Sequence, residues 1–253
     1  MVLGEELPIL IAISFAAGTI GSLLGLGGGF IIAPSLMFMG FSPYQVASTS
    51  LFAVFSTSTS STIAYARQKR IDYSLGIRFA LIAIPGTIIG AYLSDFITMQ
   101  SFMLYFALIL IGTSIYILRR SALGKERKTS PAPGIMALSY AASFFAGVLV
   151  SLFGIGGGVI FVPLMVALLG MSMHVSAPTS QFILMISSVG GLVSHSLLGH
   201  PEYMLALVLI AGTFAGAQLG AKLSLFMREK LLQRLVSIVL FGVAAKLIAD
   251  VFG

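Results

Sequence analysis

Cysteine and tryptophan are both absent from this chain of 253 residues, and Asp, Glu, Lys and Arg together make up 9% of it. Without cysteine there are no disulfides and no thiolate chemistry. Without tryptophan, anchoring at a membrane–water boundary falls to Tyr and to Lys/Arg. The carboxylates are few, and each falls at an expected helix end or in a loop. That argues against a proton relay built on buried Asp or Glu. Of His174, His195 and His200, only His195 falls inside an expected helix, and a lone histidine near a helix end reads as a bystander. There is no paired-histidine metal spacing and no Ser-His-Asp set, so neither an enzyme nor a cofactor or metal is expected.

What is there is apolar. Hydrophobic residues reach 58% and mean hydropathy is +1.06, the composition of a polytopic membrane protein rather than a soluble domain. Apolar stretches of roughly 17 to 22 residues recur along the chain, the helical rather than the barrel signature. The first of them, 7–24, lacks a basic leader and carries Glu5 and Glu6 instead, so it reads as retained in the mature protein.

Helices are expected over 7–24, 30–39, 45–66, 75–94 and 101–118, then over 135–153, 159–169, 175–198, 203–223 and 231–251. The polar, basic stretch 119–133 separates an N-terminal repeat, 1–118, from a C-terminal repeat, 134–253. The duplication goes beyond hydropathy. Gly40 and Ser42 match Gly170 and Ser172; Ala47, Thr49 and Ser50 match Ala177, Thr179 and Ser180. Gly86, Thr87 and Gly90 match Gly212, Thr213 and Gly216.

The two copies carry their basic loops out of phase. Arg67, Lys69 and Arg70 have no basic counterpart around His200 to Glu202, whereas Lys222, Arg228 and Lys230 match a base-free loop near Asp95. Under the positive-inside rule the repeats are therefore inverted, each crossing an odd number of times. The basic linker is cytoplasmic, and Glu5, Glu6, Asp95, Glu202 and Asp250 lie outside. The fold expected is all-α and polytopic: two inverted-topology repeats of about five helical segments each, with glycine-broken short helices.

The breaks are the unusual element. Gly25, Gly27, Gly28 and Gly29 lead to Pro34, and Gly154, Gly156, Gly157 and Gly158 lead to Pro163. Spaced glycines such as Gly18, Gly21 and Gly25, or Gly212, Gly216 and Gly220, read as close-packing faces. The triple clusters Gly27–Gly29 and Gly156–Gly158 end one helix and leave N–H groups uncovered at the start of the next, a setting that favours an anion. Paired breaks at matching places in two halves are a pointer to a transporter site. Neither cluster is a nucleotide loop: the P-loop Lys-Ser/Thr is missing, and Phe30 or Val159 stands where a dinucleotide fingerprint needs glycine. Each break is followed by hydroxyls: Ser48, Thr49 and Ser50, then the run Ser56 to Thr62; in the second half Thr179, Ser180 and Gln181, then Ser187 and Ser188. Many membrane Ser and Thr merely bond to the preceding turn. A helix this rich in hydroxyls nonetheless reads as lining a polar path, with Gln181 able to donate and accept.

With two Gly-x-Gly-Gly-Gly…Pro copies, each followed by an Ala-x-Thr-Ser segment, nearly the whole chain resembles the sulfite exporter TauE/SafE family. The resemblance implies a multi-pass plasma- or inner-membrane exporter of small sulfur-containing anions such as sulfite, sulfoacetate or other organosulfonates. It makes the two glycine motifs, with Pro34 and Pro163, the family motifs. The copies differ at Ser48, which is Pro178 in the second half. A sulfonate's three oxygens and delocalised charge suit backbone N–H groups and hydroxyls without a buried Arg, which would hinder release. The partners expected are the lipid bilayer and that anion, with no nucleic acid; monomer and homodimer both stay open. A passive channel and a non-transporting membrane scaffold are the competing readings.

Overall fold

The computed structural model describes residues 7–121 and 133–252. Ten α-helices make up this part: α1 (Leu7–Leu24), α2 (Gly29–Phe38), α3 (Pro43–Arg67), α4 (Tyr73–Leu93), α5 (Met99–Ser121), α6 (Pro133–Phe153), α7 (Gly158–Ala167), α8 (Met173–Leu197), α9 (Tyr203–Leu223) and α10 (Glu229–Phe252). One turn of 3-10 helix, Ser94–Phe96, follows α4. No strand occurs among the described residues. All ten expected helices are present, with ends shifted by a few residues. The largest shifts are at α5, which starts at Met99 and runs on to Ser121, into the stretch read as linker. The rest of that linker, and Glu5 and Glu6, lie outside the described residues. Six helices (α1, α4, α6, α8, α9 and α10) contain a stretch long and apolar enough to cross a membrane.

Glycine chemistry sets the chain path. α1 stops because Gly25, Gly27 and Gly28 take φ of 76°, 87° and 80°, left-handed values that side chains resist. Leu26 and Gly27 both turn their N–H groups back onto the Gly21 carbonyl, at 2.7 and 3.2 Å, which closes the end of α1. α2 then starts at Gly29. Its 10 residues rise roughly 15 Å, half of a hydrocarbon core. The α1–α2 pair is therefore a hairpin whose second arm does not span. The α6–α7 pair repeats it, with positive φ at Gly154 and Gly156. α3 begins with Ser42 as cap, Pro43 behind it and Gln45 closing a reciprocal capping box.

Spaced glycines fix the helix pairs. A β-carbon on Gly212, Gly216 or Gly220 would run into Ser14, Phe15 and Thr19 respectively, so α1 and α9 lie parallel in close contact. Gly86 and Gly90 meet Phe144 and Val148 in the same way, so α4 and α6 are parallel too. In the middle, α3 and α8 run antiparallel. Thr49 of α3 accepts from the Glu202 N–H at 3.1 Å, while Thr179 of α8 accepts from the Asp72 N–H at 3.0 Å. The hydroxyl-rich α3 is shielded from lipid by α1, α8 and α9. α5 and α10 pack on each other, with Ser114 Oγ donating to the Ser237 carbonyl at 2.9 Å. Exposed Leu81, Phe145, Leu207 and Ile238 face outward, where acyl chains take the place of water.

Candidate functional site

The two glycine breaks meet. A β-carbon on Gly29 would overlap the Gly154 carbonyl oxygen, and one on Gly158 would overlap that of Gly25. Gly27 and Gly156 touch across the same seam, backed by Val54 of α3 and Leu184 of α8. Hydroxyls lock the crossing reciprocally: Ser50 Oγ donates to the Gly154 carbonyl at 3.0 Å, and Ser180 Oγ donates to the Gly25 carbonyl at 2.9 Å. Most of these glycines thus have a packing task. Gly28 is less crowded, with the Ala17 carbonyl oxygen 3.0 Å and Thr57 Oγ1 3.3 Å from where its β-carbon would stand.

Gln181 is fully buried beside the junction. Its Nε2 donates to the Gly21 carbonyl at 2.8 Å, and its Oε1 has no partner among the described residues. Ser22, Thr57, Ser151 and Ser187 are four of the seven buried hydroxyls with no partner among the described residues. They fall in matching pairs, Ser22 with Ser151 at the ends of α1 and α6, and Thr57 with Ser187 in the middles of α3 and α8. Among the described residues, no acceptor closes on the N–H groups of Gly28, Gly29 or Phe30, or of Gly156, Gly157 or Gly158. The site therefore offers two helix starts, the free Thr57 hydroxyl beside Gly28 and one free amide oxygen, and among the described residues no charged side chain is fully buried. That polarity suits a small, singly charged or neutral polar solute better than a multivalent ion.

Of the residues expected at the site, the structure brings together Gly27, Gly28, Gly29, Gly156, Gly157, Gly158, Ser50, Ser180 and Gln181. Ser48, Thr49 and Thr179 stand apart from the junction. Ser48 bonds back to the Gln45 carbonyl at 3.1 Å, and Thr49 and Thr179 pin the starts of α9 and α4. Within the hydroxyl run, Ser56 and Ser60 donate across to Ile210 and Phe214 of α9 at 2.9 and 2.7 Å.

Two polar groupings were not foreseen. At the basic end, Arg70 donates to the His174 carbonyl, the Gln68 Oε1 and the Ser224 Oγ, at 2.9, 2.9 and 2.8 Å, while its Nη2 lies 3.0 Å from His174 Nδ1. Burial draws its pKa below the ordinary guanidinium value. Nearby, Ala64, Arg67, Gln68, Gln218, Leu219 and Lys222 line an open cavity of ≈ 380 Å³. At the acidic end, His195 is not a lone histidine: its Nδ1 lies 2.9 Å from Nδ1 of His200, and His200 Nε2 lies 3.0 Å from Asp95 Oδ1. The signal in the sequence is that His195 and His200 stand where the first half has Tyr65 and Arg70, a helix end followed by a turn.

A family model described as sulfite exporter TauE/SafE matches residues 10–247. The probable membrane transporter protein YunE of Bacillus subtilis is 36% identical over 268 residues, covering 96% of this chain and 97% of its own. The probable membrane transporter protein MJ0441 of Methanocaldococcus jannaschii is 28% identical, covering 92% of both chains. YfcA of Escherichia coli K12, likewise a probable membrane transporter protein, is 27% identical over 98% of this chain and 91% of its own.

Proposed function

The chain belongs to the sulfite exporter TauE/SafE family, a multi-pass membrane transporter and not an enzyme, and from that premise we propose that it exports small sulfur-containing anions, sulfite or an organosulfonate, by alternating access at the glycine junction. The observation that carries this reading is the set of unpartnered N–H groups on both sides of the seam, with the free Thr57 hydroxyl beside Gly28 and the starts of α2 and α7 leading into it. Such donors hold an anion without a buried cation, so release stays easy. Gln181 narrows the substrate. Its Nε2 has one hydrogen engaged by the Gly21 carbonyl and its Oε1 is free, so the side chain presents an open acceptor beside the seam. A substrate that itself carries a hydrogen (bisulfite, or a sulfonate with a hydroxyl or amine group) suits that oxygen better than a bare dianion.

Residues 1–118 and 134–253 act as inverted repeats about the basic linker 119–133. Parallel α1, α3 and α9, opposed to parallel α4, α6 and α8, support this, because each helix of one set has its counterpart in the other. The end bearing Arg67, Arg70 and Lys222 faces the cytoplasm and concentrates anions before export, an effect that salt screens. The closed Gly27–Gly156 contact favours a carrier that must rock open over a standing channel.

The test is thermal stability of detergent-purified protein against sulfite, sulfate, thiosulfate, isethionate, sulfoacetate, taurine and chloride at matched ionic strength. A ligand of the folded state raises the melting temperature with the logarithm of its concentration once that exceeds Kd. A selective shift of that form by one sulfur compound is expected. If every salt behaves like chloride, the anion site is wrong and the glycine breaks are packing devices.

A further inference from the structure

The histidine pair at the end of α8 forms a continuous chain. His195 is fully buried, with Nε2 3.0 Å from the carbonyl of Ser151 in α6, three residues before Gly154. His195 Nδ1 meets His200 Nδ1 at 2.9 Å, and His200 Nε2 meets Asp95 Oδ1 at 3.0 Å. His200 is 7% exposed and Asp95 41%, so the chain runs from water to the edge of the α6–α7 break. Tyr44, at the start of α3, lies against His200 with ring centroids 5.0 Å apart. Glu202, two residues on, is turned to Gln45 Nε2 at 2.9 Å.

Proton counting is decisive here. Both ends of the chain are acceptors, a carbonyl oxygen and a carboxylate. Its three links need three protons. Two neutral imidazoles bring one each, so the third is an extra proton, and it makes the set of Asp95, His200 and His195 electroneutral. Remove it and one link brings two lone pairs face to face, so that link opens.

The first half holds the equivalent carbonyl differently. Tyr65 Oη donates to the Ser22 carbonyl at 2.8 Å, and Arg70 lies over the Tyr65 ring at 5.3 Å. Ser22 precedes Gly25 as Ser151 precedes Gly154. A phenol and a guanidinium do not change charge near neutral pH, so holding that carbonyl does not require titratable groups.

We propose that Asp95, His200 and His195 form a one-proton binding site at the acidic end of the bundle, and that its occupancy sets the hold on the α6–α7 glycine break and so couples the carrier to outer pH. Proton binding stands on the chain's geometry alone; the coupling rests on the transport reading and orientation given above. Burial draws the His200 pKa below the ordinary imidazole value while Asp95 pushes it back up, so the proton is held less tightly than on a free imidazole.

The test is a 15N-histidine NMR titration of the full chain in nanodiscs from pH 4.5 to 8, with Asp95→Asn and the double variant His195→Tyr, His200→Arg, which copies the first half. In the wild type, His195 and His200 respond together to one shared proton, and Asp95→Asn lowers the midpoint by about one unit or more. Independent titrations, no response in either ring, or a midpoint indifferent to Asp95→Asn would overturn the site. Sulfite efflux from proteoliposomes, with and without a pH gradient at fixed membrane potential, then reads the coupling. Wild-type flux depends on the gradient and double-variant flux does not; equal dependence in both overturns the coupling. A wild type that moves no sulfur anion at all sinks the transport reading, while the NMR arm still decides the proton site.

Discussion

Ser50 and Ser180 each hold the other half's glycine break: Ser50 Oγ donates to the Gly154 carbonyl at 3.0 Å and Ser180 Oγ to the Gly25 carbonyl at 2.9 Å. The two hairpins are thereby tied to the opposite central helix, α1–α2 to α8 and α6–α7 to α3. Any motion of one half against the other would have to break or carry these bonds.

Ser50→Ala and Ser180→Ala should each destabilise the protein by about 1–2 kcal/mol, since each leaves a buried carbonyl short of a donor. Because both bonds close one junction, the double variant should depart from the sum of the singles by about 0.5 kcal/mol or more. Denaturant titration in micelles measures both. Strict additivity would mean that the two breaks loosen independently.

Glycine substitutions should separate seam from surface. Gly29→Ala and Gly158→Ala drive a β-carbon into a backbone carbonyl oxygen that cannot swing aside, and should cost about 3 kcal/mol or more. Gly112, in the interior of α5, has nothing within 4 Å of a β-carbon, so Gly112→Ala should gain about 0.5–1 kcal/mol. Melting temperatures of the three variants decide; a Gly29→Ala protein as stable as Gly112→Ala would mean the seam is not closed.

Helices were legible because apolar runs of membrane length have one solution in lipid, and the glycine breaks were legible because triple glycine in such a run demands a backbone reason. Partner assignment was not. Ser50 and Ser180 stand in the same Ala-x-Thr-Ser segments as Thr49 and Thr179, yet the first pair points into the seam and the second pins the starts of α9 and α4. One residue along a helix turns a side chain by about 100°, and which way it faces depends on neighbours distant in sequence. The proton chain was hidden for the same reason: Asp95 and His200 are more than a hundred positions apart.

Arg70 ties α3, α8 and α9 together through a fork that a lysine cannot copy. Arg70→Lys should lower stability by about 1–2 kcal/mol, discounted for its half exposure, whereas Arg67→Lys, exposed at the end of α3, should change it by less than about 0.5 kcal/mol. Thermal melts of the pair test this, and equal losses would mean that charge alone matters there.

Acid should weaken the fold through His200. Its folded pKa lies below the ordinary imidazole value because burial penalises the charged ring. Above both values the ring is neutral folded or unfolded, so it imposes no burial penalty even though one link of the chain to Asp95 is then open. As pH falls through about 6.5, the unfolded chain takes up the proton first and stability drops, until the folded value is passed. The melting temperature should therefore fall as pH drops below about 6.5, and His200→Gln should flatten that slope. A slope unchanged in His200→Gln would place the acid sensitivity elsewhere.

Gln181 separates packing from binding most cleanly. Its Nε2 is one of three donors on the Gly21 carbonyl, which Leu26 and Gly27 also reach. Gln181→Leu therefore leaves that oxygen satisfied and should cost at most about 1 kcal/mol of stability. Its Oε1 has no partner among the described residues, so it is open to a ligand. Gln181→Leu should weaken the anion-induced thermal shift at least tenfold in apparent Kd, about 1.4 kcal/mol. Gln181→Glu should go further, because a second negative charge in a buried site repels the substrate. Should both variants keep wild-type anion response, the free oxygen faces no ligand, and the site must lie with the hydroxyls of Thr57 and Ser187 instead.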